Sequence, residues 1–143
     1  MLNSAYLVVA ALLGLTMIAN GVFMLVGPEN WYFAVPGVTA TGPSNQHFIR
    51  DIGLIFLFLG GGFLFGVMRP EIRVLLWGAA AIWLSGHALF HFWEVAVGIC
   101  SPSALARDFP AVTLPALVAL ALTIWALAQS RSTPLLPNRG DAT

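Results

Sequence analysis

Three histidines and two carboxylates stand at spacings that suit metal or proton chemistry. His47 and Asp51 belong to the string Asn45-Gln46-His47-Phe48-Ile49-Arg50-Asp51, and His87, His91 and Glu94 to His87-Ala88-Leu89-Phe90-His91-Phe92-Trp93-Glu94. Side chains three or four apart share one face of a helix, so each string predicts a polar stripe. Imidazole suits Cu, Zn, Fe and Ni, and carboxylate extends the choice to Mn. The pattern predicts a mononuclear transition-metal site (Cu, Zn or Fe) with His47, His87 and His91 as ligands. Asp51 or Glu94 would be the fourth ligand or the carboxylate that orients a ligand histidine. The same residues admit a b-type haem held between His47 and His87 or His91. They also admit a quinone pocket, with one His and one carboxylate for hydrogen bonding and proton exchange and Phe90, Phe92 and Trp93 as its wall. A di-iron centre takes more carboxylates than these.

Each residue also has a structural reading. Asp51 can pair with Arg50 at a membrane surface, and His47 can be a solvated or capping residue at a helix start. His91 and Glu94 can reach water from a helix end. A neutral His87 can bond to Ser85, Asn20 or a backbone carbonyl.

The elements that position these groups follow from composition. Hydrophobic residues make up 59% of the 143 and charged residues 8%, against about 45–50% and about 25% in soluble domains. A chain this small cannot hide so much apolar surface from water, so its expected surroundings are a lipid bilayer. There is no lysine, and six arginines balance six acids, so no basic arm for nucleic acid exists. Cys100 is the only cysteine, which excludes an internal disulfide.

Four apolar runs are long enough to cross about 30 Å of hydrocarbon at about 1.5 Å per residue. They cover residues 5–26, 46–68, 74–99 and 111–128 and predict an all-α protein, an antiparallel bundle of four transmembrane helices. The first run lacks the basic start of a signal peptide and is too long for one, so it is expected to be retained. Asn20 within it is expected to bond to a neighbouring helix. Gly27-Pro28-Glu29-Asn30 ends it, and Trp31-Tyr32-Phe33 opens a Pro/Gly-rich interfacial loop. Ser44 or Asn45 is a plausible cap for the second run. Gly62-x-x-x-Gly66 predicts close helix packing. The short turn at Arg69-Pro70 predicts that runs two and three form a hairpin, and residues 129–143 read as a flexible cytoplasmic tail. Arg69, Arg73, Arg131 and Arg139 lie on the side of the termini, Arg50 and Arg107 on the other. The positive-inside rule then places both termini in the cytoplasm, and the expected membrane is a bacterial inner membrane.

With this orientation His47, Asp51, His87, His91 and Glu94 all fall in the outer half of the bilayer, His87 deepest. At 100° per residue His87, His91 and Glu94 lie within about 60° of arc, and His47 and Asp51 within about 40°. Packing of runs two and three would let them converge, and ionisable groups in a membrane segment mark a function.

The four short spans, the early Pro/Gly loop and the string His47-Phe48-Ile49-Arg50-Asp51-Ile52-Gly53 resemble the small DoxX-like membrane proteins. Some members of that family are linked to thiol or thiosulfate oxidation with quinone as acceptor. No catalytic residue of that chemistry matches here, and the lone Cys100 does not supply a cysteine pair. Two function classes result. One is a small oxidoreductase, or a metal-bearing subunit of a larger membrane complex. The other is a non-catalytic accessory subunit, joined to other membrane subunits or to copies of itself, with its histidines as hydrogen-bonders or proton handlers.

Overall fold

The computed structural model describes residues 2–132, and every regular element among them is helical. The helices are α1 (Leu2–Val26), α2 (Pro28–Ala34), α3 (Gln46–Met68), α4 (Pro70–Ala96), α5 (Ser103–Asp108) and α6 (Leu114–Ser132). Four segments are long and apolar enough to cross a membrane: Ser4–Val26, Gln46–Met68, Pro70–Ala96 and Ser103–Arg131. They form the four-helix antiparallel bundle that the apolar runs imply. Of the tail at 129–143, Gln129–Ser132 continue α6, and the remainder lies outside the described residues.

Local chemistry sets most boundaries. The Asn45 side chain accepts the Phe48 backbone N–H at 3.1 Å and caps α3, satisfying one of the donors a helix start leaves unpaired. Pro70 biases Arg69 away from helical torsions and is itself favoured at a first helical position. The break between α3 and α4 is therefore that single residue, whose φ is −124° and ψ 86°, and α4 begins four residues before the expected Val74. At its other end α4 stops before the expected Ile99. Gly98 takes a left-handed φ of 80°, its N–H bonds the Val95 carbonyl at 3.1 Å, and the Ile99 N–H reaches back to Glu94 at 2.9 Å. These two bonds around a left-handed glycine form a Schellman cap.

The fourth span departs furthest from expectation. Pro110 and Pro115 lack an N–H and by sequence favour the opening of a helix, with Arg107-Asp108 in a loop before the apolar run at 111–128. Instead α5 runs into a π-helical stretch, Phe109–Thr113, and on into α6. The Leu114 N–H bonds the Phe109 carbonyl, five residues back. A π turn widens the helix, which lets the proline rings stay inside a continuous segment. Arg107 and Asp108 thereby move from a loop onto a helix.

Packing follows the order α1, α3, α4, α6, with a slighter contact closing α6 back onto α1. Helices α1 and α3 meet through glycines: Gly14 faces Gly60 and Gly21 faces Gly53. A Cβ on Gly60 would fall 2.5 Å from the Gly14 carbonyl oxygen, and one on Gly21 2.7 Å from that of Gly53. Small residues let backbones approach where lipid removes any hydrophobic drive between helices. The expected Gly62-x-x-x-Gly66 pair does something else. A Cβ on Gly62 would be 4.0 Å from its nearest neighbour, Leu76, while Gly66 leaves room for the Trp77 indole. Trp77 is fully buried with Phe63 beside it, and α4 meets α6 through Ala80, Ala81, Ala88, Ala116, Ala119 and Ala126.

The interfacial segment includes α2 and a short 3-10 turn at Val38–Ala40. Asn20 bonds to this segment rather than to another spanning helix: its Oδ1 accepts the Trp31 Nε1–H at 2.9 Å. Arg50 donates from Nε to the Leu25 carbonyl at 3.2 Å and so covers the end of α1. Trp31→Phe keeps an aromatic ring, smaller than the indole, and removes the bond to Asn20. It is expected to lower stability by about 0.6–1.7 kcal/mol and to leave the spanning helices in place. SDS titration of the protein in mixed micelles checks the first, and unchanged far-UV circular dichroism the second.

Candidate functional site

The polar side chains of interest gather at the end of the bundle opposite the start of α1 and the end of α6. They do so as two separate groups. His47, in the first turn of α3, lies with Nε2 3.4 Å from Asp51 Oδ2, and the two side chains are 90% and 55% exposed. A histidine that open to the surroundings is the solvated residue at a helix start that one of the sequence readings described. Asp51 takes His47 as its partner, while Arg50 is turned to Leu25 and Gln46.

The second group is enclosed. The rings of Trp83 and His87 stack at 5.2 Å with 14° between planes, and those of His87 and His91 meet edge to face at 4.8 Å. His91 Nδ1 is 3.3 Å from Asp108 Oδ2, with side-chain exposures of only 24% and 15%. Among the described residues this is the only ion-pair geometry that joins two helices. Asp108 also accepts from its neighbour Arg107, Nε to Oδ1 at 2.6 Å and Nη2 to Oδ2 at 3.0 Å. The Arg107 guanidinium in turn packs against Gly37, whose φ is 86°, so tightly that a Cβ there would overlap it. A chain of contacts thus runs from the interfacial loop through Arg107 and Asp108 to His91 and His87. Neither expected structural partner holds His87: Asn20 is engaged by Trp31, and the Ser85 Oγ is buried with no hydrogen bond among the described residues.

Glu94 is half-buried, and its carboxylate has no hydrogen bond or ion pair among the described residues. Its backbone carbonyl serves the α4 cap instead. The five residues singled out by spacing therefore divide into His47–Asp51 and His87–His91, with Glu94 apart. Among the described residues no three His, Cys, Asp or Glu side chains form a group that could hold a metal ion.

Asp108 is the member that spacing did not single out. The visible signal was an acid next to Arg107 at the same end of the chain's fold as His91. By its sequence the stretch Arg107-Asp108-Phe109-Pro110 reads as a loop, so no helical spacing pairs Asp108 with a histidine. The chemistry that results is well defined. An ionised Asp108 3.3 Å from His91 Nδ1 favours the proton on that nitrogen, with Nε2 as the working atom. Neutral, Nε2 accepts a hydrogen bond; protonated, it donates one. The exposed Phe90 ring lies 6.5 Å from that of His91, edge to face, and stacks on Trp93 at 5.6 Å. No family model, curated protein or solved structure matches this chain.

Proposed function

We propose that the protein is an integral membrane subunit that exchanges protons and hydrogen bonds with a lipid-soluble quinone at the His91–Asp108 site. The observation that supports this reading is that pair, 3.3 Å apart and mostly enclosed between α4 and α5. Ionisable groups at membrane depth are costly and are kept in proton pathways. Asp108 balances the charge that His91 gains when Nε2 takes a proton from a quinol hydroxyl, the quinol becoming its quinolate anion. Phe90, next to His91 and half exposed, offers an apolar surface open to lipid, the medium from which a quinone arrives. With both termini in the cytoplasm of a bacterial inner membrane, the site faces outward.

The test is a titration of the protein in lipid nanodiscs with a short-chain quinone, read by quenching of tryptophan fluorescence. His91→Ala and Asp108→Asn are each expected to weaken binding about tenfold or more, the size of a lost hydrogen bond to a charged group. His47→Ala should bind as the parent does. Parent-like affinity in His91→Ala sinks the proposal.

A transition metal is the second reading, favoured by the 4.8 Å approach of the His87 and His91 rings. Asp108 would then orient His91 as a carboxylate orients a ligand histidine, and His47, Asp51 and Glu94 would stand outside the shell. Elemental analysis decides: stoichiometric Cu, Zn or Fe, lost in both His87→Ala and His91→Ala, favours the metal, and a Soret band would favour haem b. A protein with neither metal nor quinone, still assembling with partners after both replacements, is an accessory subunit.

A further inference from the structure

The opposite end of the bundle, where α1 begins and α6 ends, has a feature independent of the histidine site. A crevice of about 580 Å³ opens where α1, α4 and α6 converge. It exists because α1 packs on α3 and α4 on α6, while α1 and α6 touch only lightly. Tyr6 of α1 stacks on Trp125 of α6 at 4.9 Å and bridges the two pairs. The lining is amphipathic: Leu7, Val74 and Trp125 are apolar, and Arg73, Glu71 and Ser130 are polar.

Arg73 is held in one orientation. Its Nε donates to the Gly66 carbonyl at 2.7 Å and its Nη2 to that of Val67 at 3.2 Å. The guanidinium carbon lies 5.3 Å from the centre of the Trp77 ring and 5.6 Å from that of Trp125. Its Nη1 has no hydrogen bond among the described residues. Glu71, the acid at the crevice, has Arg69 at 3.8 Å. Arg69, Arg73 and Arg131 face this single acid at the described part of this end. A fixed cation with an unused donor edge, at the mouth of an apolar cleft between membrane helices, matches an amphiphile with an anionic head. Basic pockets between membrane helices bind anionic lipid headgroups in this way.

We propose that this crevice binds an anionic phospholipid, its phosphate on Arg73 Nη1 and the start of an acyl chain along Leu7, Val74 and Trp125. The test is native mass spectrometry of the full chain, stripped of lipid in mild detergent and titrated with phosphatidylglycerol or phosphatidylcholine. Phosphatidylglycerol is expected to bind at least about fivefold more tightly, as one well-placed arginine permits. Arg73→Gln should abolish that preference. Because Arg73 also covers the end of α3, Leu7→Trp provides a second variant that fills the crevice without touching those bonds, and it should lower lipid occupancy. Arg131→Gln, outside the lining, should leave the preference intact. Equal binding of both lipids, or an Arg131→Gln loss as large as that of Arg73→Gln, overturns the proposal in favour of diffuse surface charge. Displacement of the lipid by inorganic phosphate would show a free-phosphate site and overturn it too. Binding seen only after removal of residues 133–143 would assign the crevice to the chain's own tail, with the same consequence.

Discussion

Replacing Trp77 with alanine is expected to destabilise the bundle by about 3 kcal/mol, the lower end of what a buried Trp→Ala change costs in proteins. Trp77 is fully buried against Phe63, their rings 6.0 Å apart, and stacks on Trp125 at 6.1 Å. Its Nε1–H donates to the Phe63 carbonyl at 3.1 Å, and its ring occupies the notch that Gly66 leaves. One side chain therefore joins α3, α4 and α6. The lower end of the range is expected because lipid is as apolar as the core, so the transfer term that drives burial from water largely drops out. Lost packing, the cavity and the hydrogen bond remain. Trp77→Phe keeps a smaller ring, loses the bond and leaves a smaller cavity, so its cost should exceed that of the bond alone, about 0.6–1.7 kcal/mol, and fall below that of Trp77→Ala. Unfolding by SDS in mixed micelles reads both. A Trp77→Ala protein as stable as its parent would mean that the α3–α4 contact does not hold the bundle together.

Gly60→Leu is the second large change, expected to cost about 3 kcal/mol or more, at or beyond the usual overpacking range. A Cβ at Gly60 would lie 2.5 Å from the Gly14 carbonyl oxygen, 2.7 Å from Ile18 Cγ1 and 3.0 Å from the Ile18 nitrogen. Two of those three atoms are backbone, so no rotamer change relieves the clash and α1 must move away from α3. Gly61→Ala is the matched control, one residue along the same helix with nothing within 4 Å of an added Cβ. There alanine's better helix propensity, worth up to about 1 kcal/mol, is expected to leave stability level or slightly raised. Cysteine cross-linking between α1 and α3 adds a structural readout: its efficiency should fall in Gly60→Leu and persist in Gly61→Ala. Equal stability of the two variants would contradict the close approach of α1 and α3.

The residues that decide these two experiments were visible in different degrees. The glycines of α3 were legible as packing residues, yet the pair named by its spacing, Gly62 and Gly66, is not the one that meets another backbone. A GxxxG pattern reports one helix's small face, and which neighbour comes to that face depends on the order of packing. Here α1 takes the Gly53–Gly60 side and Trp77 fills the Gly66 notch. The start of α3 was legible because Asn45 and the apolar run after it act within one turn of chain. The start of the fourth span was not. Pro110 and Pro115 are local signals for a helix beginning, and they are overridden by a π turn that tolerates the missing donors.

The histidine stripes divide the same way. Composition and periodicity determined the all-helical architecture, the four apolar segments and the face shared by His87 and His91, because these depend on the helical repeat and on the need to remove backbone polar groups from lipid. Tertiary structure decided the partners. His47 and Asp51 remain exposed as a pair of their own, and His91 meets Asp108, a residue distant in sequence that α5 brings onto a helix beside α4. A periodic pattern specifies where on its own helix a side chain lies. The group across from it depends on how another segment ends, turns and packs.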